Sequence, residues 1–353
     1  MKNEQRPAAT RITITTGSLL RIIGVVALAY IVFLIKDILA LLFVSIILAS
    51  AMNPWVDWIT DKGIPRVLSV VIIYIVGLSL VSGFLWLSIP PVIEQSTQLA
   101  TDFPVYLETI SGYAESLKEF SDSHIWFNNV AEGISSIFTN LPAGENILSS
   151  IFGFFGGVLS FFIIIVITFY MMVEQNSIKK LIWSLTPAKH QTYAMDVLRR
   201  MQHKMGLWFR GQLVLCFAIF LLTYISLSIL GVKYAFILAL IAGLTELIPY
   251  LGPVIGAVPA VLIALTQSPA LALGVIIVYL IIQQVENAFL VPKIMQKAVG
   301  LNPIASIVVI MIGFSIGGIL GALLAIPAAT AGTVILEDIF NKKHALSMSA
   351  MED

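Results

Sequence analysis

The residues with the clearest potential for chemistry surround Glu246, the only charged residue between residues 234 and 285. An ionisable group at membrane depth costs ~2.5–3.5 kcal/mol to insert and is usually functional. Because Pro249 lacks an N–H group, carbonyl groups left unpaired near it could, with Glu246 and Tyr250, coordinate a cation or a hydroxyl-rich solute. The alternatives are that Glu246 lies at the membrane interface or pairs with a lysine. The candidate residues of this first group are Glu246, Pro249, Tyr250, Gly252 and Pro253.

A second polar group ends the next apolar run. Glu286 and Asn287 follow Gln283 by three and four positions, spacings that predict that each shares a helix face with Gln283. Their donors and acceptors suit a small polar ligand. The alternative is a helix end at headgroup level, with Glu286 and Lys293 in a surface ion pair. Asn302 is a further candidate and reads equally well as the cap of the following helix.

No metal or catalytic cluster is evident in the sequence. The four histidines lie in polar stretches without ligand spacing, and the single cysteine, Cys216, lies in an apolar run and excludes an intrachain disulfide. A membrane hydrolase would need a nucleophile with a base, a carboxylate pair or a metal at membrane depth. We therefore expect neither an enzyme, nor a metal site, nor a cofactor.

Composition identifies the class of protein that must position these residues. The chain has 353 residues, of which 58% are hydrophobic and 11% charged, with a mean hydropathy of +0.96. Soluble globular domains have about 25% charged residues, so this class is excluded. An all-α polytopic membrane protein with about six full spans is predicted. The predicted spans are residues 19–35, 38–52, 67–89, 147–173, 211–232 and 270–285.

Two further apolar segments, residues 234–266 and 298–336, are too long for one crossing and are interrupted by glycine and proline. A bilayer core of about 30 Å needs only about 20 helical residues. We expect each segment to form a re-entrant hairpin, because the loop with Lys293 and Lys297 then lies inside, and two kinked crossings (eight spans in all) are the alternative. With residues 211–232 and 270–290, the hairpins predict an inverted repeat.

The distribution of loop charges orients the chain. Residues 90–150 hold eight acidic residues and one basic residue, whereas residues 174–210 hold seven basic and two acidic residues. Since basic residues accumulate on the cytoplasmic side, both termini are predicted to be cytoplasmic. The predicted regions are 1–89 (membrane helices), 90–146 (acidic periplasmic helical segment), 147–173 (membrane helix), 174–210 (basic amphipathic cytoplasmic segment), 211–340 (transport unit with two broken hairpins) and 341–353 (cytoplasmic tail).

Three local predictions concern helix boundaries. Lys36 and Asp37 separate the first two apolar runs, and we expect a tight pair of tilted helices there, with one long bent helix as the alternative. Apolar residues at helical spacing predict an outer helix over residues 103–117 that begins near Pro104. Its apolar face would pack on a neighbouring helix such as residues 126–138, on the membrane surface or on another subunit. Leu198, Met201, Met205 and Trp208 share one face of a predicted interfacial helix, whose Arg199, Arg200 and Lys204 are placed to meet anionic headgroups.

The motifs support a resemblance to a known family. Four motifs carry it: Lys62-Gly-Ile-Pro-Arg66, Glu246-Leu-Ile-Pro-Tyr-Leu-Gly-Pro253, Gln283-Gln-Val-Glu-Asn287 and Val-Gly-Leu-Asn-Pro303. Through these motifs the chain resembles the autoinducer-2 exporter family of bacterial inner-membrane transporters. Two departures are Gln296, where a glycine is common, and Asn302, where a histidine is common. The second departure puts a protonatable role at that position in doubt.

The resemblance implies a transporter in the bacterial inner membrane that exports a small polar metabolite of the autoinducer-2 type, used in quorum sensing. The export would be driven by a proton or sodium gradient and occur by alternating access, with the N-terminal helices as scaffold. Some members are described as sodium (or lithium)/proton antiporters, which is the alternative function. The resemblance also implies a homo-oligomer, with a pentamer as the specific expectation, in a lipid bilayer. No nucleic-acid partner is expected.

Overall fold

The computed structural model describes residues 16–120, 157–174, 183–184, 186–295 and 302–352. These parts of the chain are helical throughout apart from short connections, and they contain no strand. The α-helices are α1 (Thr16–Leu34), α2 (Lys36–Thr60), α3 (Arg66–Phe120), α4 (Val158–Val173), α5 (Gln191–Ile229), α6 (Ala235–Thr245), α7 (Gly252–Gln267), α8 (Pro269–Val285), α9 (Val291–Met295) and α10 (Pro303–Glu352). A 3₁₀-helix (Ala188–His190) precedes α5 and a π-helix (Glu286–Leu290) joins α8 to α9.

Helix length and apolar surface together confirm an integral membrane protein of the all-α polytopic class. In the described residues, five helical stretches are long and apolar enough to cross a bilayer, and their large apolar side chains are widely exposed. Exposed leucine and isoleucine over whole helices suit lipid rather than water. The five stretches are Lys36–Thr60, Arg66–Ile110, Ala188–Ile229, Pro269–Met295 and Pro303–Ile339.

The first two helices form one bent helix instead of a side-by-side pair. Ile35 lies between them, and the backbone bonds from Ile35 N to Ile31 O and from Leu39 N to Ile35 O, both 3.0 Å, continue the helical ladder. The predicted tight pair is therefore wrong and its alternative is confirmed. Lys36 and Asp37 do not reverse the chain because both have an N–H group and both fit a helical backbone, so neither ends the helix as proline or glycine would.

An N-terminal bundle is formed by α2, α4 and the beginning of α3. Its core brings together Val56, Val70 and Met172, all fully buried. Arg66 fixes the turn between α2 and α3, because its guanidinium donates to Asp57 Oδ1 at 2.6 Å and to the Met172 carbonyl at 2.6 Å. The Lys62–Arg66 motif thus joins three helices of the bundle.

Helix α3 connects this bundle to the C-terminal half of the chain. It has 55 residues and runs through Pro90, Pro91 and Pro104 without ending. Its proximal part (residues 66–89) contacts α2 and α4, while its distal part (residues 92–120) contacts α6 and α7. The predicted helical pattern over residues 103–117 is confirmed, but the expected start near Pro104 is wrong. The predicted partner segment, residues 126–138, lies outside the described residues.

Helix α5 is the element on which both broken segments pack. It has 39 residues, about 58 Å of helix, and includes the predicted amphipathic stretch without a break. Of the basic residues expected to meet headgroups, Arg200 pairs with Asp338 at 2.6 Å and Lys204 pairs with Glu337 at 2.9 Å. These two cations therefore attach α10 to the start of α5 instead of being left for headgroups.

The first broken segment is a helical hairpin, here called the first hairpin, made of α6, the turn 246–251 and α7. Gly252 lies against Thr245 and Glu246, and Gly256 lies against Ala242, so the two arms are antiparallel. Helix α6 has 11 residues, about 16 Å, which is roughly half of a bilayer core. The chain therefore doubles back after α6.

The second broken segment, here called the second hairpin, is formed within α10. Its backbone leaves the helical region at Gly317 (φ −135°, ψ 19°) and Gly318 (φ 60°, ψ −143°). Gly313 and Gly321 then meet backbone to backbone, which makes residues 303–316 and 319–352 antiparallel arms. A side chain at Gly318 would be strained because its φ is positive.

The two hairpins approach α5 from opposite ends. The first hairpin starts beside the end of α5, where Leu227 and Tyr234 share one buried cluster, and its tip returns to Gln212. The second hairpin is tied to the start of α5 through Asp338, while Ile310 and Ala322 pack farther along it with Trp208 and Leu215. This arrangement agrees with the inverted repeat predicted from the sequence.

Candidate functional site

Two buried glutamates, here called the carboxyl pair, meet beside the tip of the first hairpin. Glu246 ends α6 and Glu286 begins the π-helix, and their side chains are close enough to interact directly. Glu246 is 1% exposed and Glu286 is 5% exposed. Among the described residues, neither Oε2 atom has a hydrogen-bond partner. Two carboxyl groups 40 positions apart are thus brought to one enclosed point.

The turn after α6 holds Glu246 in place through short local contacts. The hydroxyl group of Thr245 lies 3.0 Å from the carbonyl oxygen of Gly252, which connects the two arms at the tip. A Cβ atom at Gly252 would stand 2.6 Å from Glu246 Cα, so only glycine fits there. Tyr250 has a positive φ of 68°, an uncommon backbone for a bulky residue. Such strain concentrates at functional sites.

Helix α8 brings Glu286 to the same level. It runs antiparallel to α7, and the Tyr279 hydroxyl donates to the carbonyl oxygen of Gly256 at 3.1 Å. One and a half to two turns later, the α-helix widens into the π-helix that starts at Glu286, and the Val291 N–H bonds to the Glu286 carbonyl. π-helical turns of this kind are frequent at functional sites because they redirect side chains.

Helix α5 supplies the third wall, which the sequence analysis missed. The Gln212 amide donates to the backbone carbonyl of Glu246, one of the carbonyls that a helix end leaves without an intrahelical partner. Gln212 is 1% exposed, and its Oε1 has no hydrogen-bond partner in the described part of the chain. Cys216, one turn later, lies against Gly243 of α6, where a Cβ atom would stand 2.9 Å from the Cys216 carbonyl oxygen. A lone amide inside an apolar run was the only sequence signal for this wall.

The remaining predicted residues are not all buried with the carboxyl pair. Pro249 and Gln283 are half-buried, and Pro253 is half-buried at the start of α7. Tyr250 and Asn287 are exposed, so Asn287 does not share the buried position of Glu286. The surface pair of Glu286 with Lys293 is wrong because Glu286 is buried. Asn302 is exposed and accepts a 2.7 Å bond from Ala305 N, the capping role that was the alternative.

The chemistry open to this arrangement is proton or cation exchange. Two carboxylates buried side by side repel each other and are poorly solvated, which makes the doubly charged state unfavourable. A shared proton or a bound cation removes this repulsion. Gln212, whose amide bonds to the Glu246 carbonyl, has a neutral Oε1 that is buried without a hydrogen-bond partner among the described residues. The described residues hold no group of three or more histidine, cysteine, aspartate or glutamate side chains placed to bind a metal.

Comparison with known proteins places this geometry in a family. The family model "AI-2E family transporter" matches residues 21–341, nearly the whole chain. The chain belongs to the AI-2E transporter family. Two Bacillus subtilis relatives, YrrI and YueF, are each 32% identical over 308 and 293 residues, covering 86% and 80% of this chain and 86% and 78% of their own. PerM of Escherichia coli (strain K12) is 27% identical over 316 residues, covering 85% of this chain and 87% of its own.

The names of these relatives support transport as the general activity. YrrI and YueF carry provisional names as transport proteins and PerM a provisional name as a permease, and none of the three names states a substrate. The first hairpin, the carboxyl pair and the tip of the second hairpin lie within the matched residues of this family member. Its membership of a transporter family confirms the predicted class, a multi-span membrane transport protein.

Proposed function

We propose that this protein is a secondary-active transporter that exports a small polar metabolite of the autoinducer-2 type across the bacterial inner membrane. The carboxyl pair is its coupling site and binds a proton or a sodium ion in exchange. Both hairpins are re-entrant, with their tips near the bilayer midplane. Both termini are cytoplasmic, and the protein works as a homo-oligomer, with a pentamer as the specific expectation.

The observation that carries this proposal is the burial of Glu246 and Glu286 at a break in the membrane helices. Broken helices in paired segments are typical of transporter binding sites, because backbone can unwind at membrane depth only beside protein or a cavity. An intramembrane carboxyl group is also typical of proton relays. Here both features coincide at residues 245–252.

The opposed hairpins support alternating access. One hairpin approaches α5 from each end, so a rearrangement that releases one tip and seats the other opens the centre to opposite sides in turn. Inverted repeats produce such alternating states in several transporter folds. Substrate export by hairpin movement is therefore the mechanism that we propose.

The second candidate function is sodium (or lithium)/proton antiport. The specific observation in its favour is the carboxyl pair itself, since a proton or a monovalent cation would each relieve the repulsion between two adjacent buried carboxylates. In an antiporter the exchange is the whole activity and no organic solute moves. In an exporter the same exchange drives the solute.

The test is flux in proteoliposomes that contain the purified full-length protein. Autoinducer-2 movement and internal pH are followed under imposed proton and sodium gradients, for wild type, Glu246→Gln and Glu286→Gln. Glu174→Gln, the same substitution at an exposed position after α4, is the matched control. We expect gradient-dependent autoinducer-2 flux, reduced at least tenfold in either pair variant and unchanged in the control.

Two results would reject the exporter function. Sodium-triggered proton movement without autoinducer-2 flux, lost in Glu246→Gln, would replace it with antiport. Autoinducer-2 flux that is independent of the gradients and unchanged in both Glu246→Gln and Glu286→Gln would show that the carboxyl pair has no role in transport.

A further inference from the structure

A polar cavity lies away from the carboxyl pair, between the distal part of α3 and the turn that joins α5 to α6. Its volume is about 530 Å³, and every residue that lines it has a polar side chain. Sites for small organic molecules typically measure about 300–1,000 Å³. We call it the distal cavity. By the loop-charge prediction, it opens on the outer side of the membrane.

One wall of the distal cavity is held by three side chains, here called the distal clamp. The Tyr234 hydroxyl donates to Asp102 Oδ2 at 2.7 Å, and the Tyr106 hydroxyl lies 3.2 Å from both Asp102 Oδ2 and the Tyr234 hydroxyl. Tyr106 and Tyr234 are buried. The clamp therefore fixes the start of the first hairpin against α3.

A second bond fixes the same wall. Gln95 Oε1 accepts from the backbone N–H of Ile237 at 3.2 Å, and so caps the beginning of α6 from another helix. Tyr234, the residue before α6, has a positive φ of 61° and does not cap it through its own side chain. The cavity is an open cleft, since Thr97, Gln98 and Thr101 on its α3 side are exposed. Its two sides are joined by the hydrogen bonds of Tyr234 and Gln95.

The polar groups on the α3 side of the cavity are mainly acceptors. The hydroxyl groups of Thr97 and Thr101 donate to carbonyl groups of their own helix, at 2.8 and 2.9 Å, which leaves their lone pairs to accept. Gln98 donates to Glu94 at 3.3 Å, and its amide oxygen is an acceptor. On the opposite side, Lys233 supplies donors. An acceptor-rich wall favours a solute rich in hydroxyl donors.

We propose that the distal cavity is a second binding site of this protein, specific for a small hydroxyl-rich solute. Thr97, Thr101 and Gln98 accept hydrogen bonds from its hydroxyl groups, and Lys233 donates to one of its oxygen atoms. The two carboxylates and one ammonium group that line the cavity make a large anion unfavourable. The use of autoinducer-2 as a probe rests on the proposed function, whereas the cavity and its polarity do not.

The experiment measures binding to the full-length protein in lipid nanodiscs by calorimetric titration with two probes, ribose and autoinducer-2. The test variant is Thr97→Val with Thr101→Val, which removes two acceptors at nearly constant volume. The matched control is Thr109→Val, because Thr109 lies on the same helix and makes the same kind of bond to its own backbone, at 2.8 Å, but does not line the cavity. We expect about 10- to 30-fold weaker binding in the double variant and unchanged binding in the control.

A second measurement places the probe. In a Cys216→Ser background, Glu94→Cys is labelled with a membrane-impermeant maleimide, because Glu94 lines the cavity but is assigned no bond to the solute. Thr109→Cys serves as the control. Bound probe is expected to slow labelling at position 94 at least threefold and to leave labelling at position 109 unchanged. The proposal would be overturned by equal affinities of wild type and the double variant, by no wild-type binding of either probe, or by no protection at position 94. If the protein binds ribose, loses this binding in the double variant and transports no autoinducer-2, the second binding site is supported and the proposed export is rejected.

Discussion

Gly256 offers a direct test of the first hairpin, because the structure requires the absence of a side chain there. A Cβ atom at this position would stand 2.7 Å from Ala242 Cα and 3.0 Å from Ala242 Cβ. Both atoms belong to the opposite arm. In Gly256→Ala the arms must therefore separate by about 0.7 Å to reach an ordinary contact of 3.4 Å.

The magnitude follows from two opposing effects. Overpacking of a close contact costs about 1–3 kcal/mol, and alanine is favoured over glycine inside a helix by up to about 1 kcal/mol. The bond from the Tyr279 hydroxyl to the Gly256 carbonyl, 3.1 Å long, is also strained by the shift. We expect a net destabilisation of about 1–2 kcal/mol, together with reduced flux because Glu246 lies at the displaced tip.

The assay compares thermal unfolding in detergent and flux in proteoliposomes with those of Gly274→Ala. Gly274 is in the adjacent α8, and a Cβ atom there would be 3.9 Å from its nearest neighbour, Leu230 Cδ2. Its replacement should leave stability unchanged or slightly raised. If Gly256→Ala were as stable and as active as Gly274→Ala, the close antiparallel packing of the first hairpin would be refuted.

Two further substitutions test the attachments at the ends of α3. Tyr234→Phe removes one donor to Asp102 in the distal clamp, and we expect it to lower the free energy of unfolding by about 1–2 kcal/mol. Thermal unfolding measures this change, with Tyr224→Phe as the control. Equal stability of the two variants would show that this bond of the clamp contributes nothing. Arg66→Lys keeps the charge but loses the planar guanidinium that reaches both Asp57 and the Met172 carbonyl. We expect the free energy of unfolding to fall by about 1–3 kcal/mol, compared with Arg199→Lys at an exposed position. Unchanged stability would contradict the role assigned to Arg66 in the turn after α2.

The sequence predicted the apolar helices and the two places where the chain doubles back, because hydropathy, glycine and proline are read locally. The re-entrant position of these hairpins in the bilayer stays a prediction. It failed where packing overrides local preference. Pro90 and Pro91 suggest a helix end, but the membrane environment and contacts such as that of Tyr106 with the first hairpin keep α3 continuous. Lys36 and Asp37 likewise suggested a turn, although neither residue interrupts backbone hydrogen bonding.

The candidate site was predicted in part, for reasons that particular residues make clear. Glu246 stood out as a single charge in an apolar stretch. Gln212 did not, because a neutral amide gives a weak signal until its contact with the Glu246 carbonyl is known. Asn287 was grouped with Glu286 by α-helical spacing, but the helix becomes π-helical at Glu286, and spacing rules for an α-helix no longer apply.

The continuity of α3 constrains how the proposed transporter can move. Its proximal part is held in the N-terminal bundle through Val70, and its distal part is held to the first hairpin by Tyr106. Between these attachments most side chains of residues 75–90 are exposed, although Ser88 is buried and Phe84 makes an edge contact with Phe220 of α5. Farther along, Gln95 bonds to Ile237 of the first hairpin. Any displacement of the first hairpin against the bundle must therefore bend α3.

Bending is least costly at Pro90 and Pro91, where two backbone N–H groups are missing and the helical ladder is already interrupted. A rigid bundle with a freely sliding hairpin unit, the arrangement implied by family resemblance, would require α3 to end before its distal part. Since α3 does not end there and the distal clamp joins it to the first hairpin, the proposed transport movement would carry the distal part and the first hairpin together, with a bend at Pro90 and Pro91.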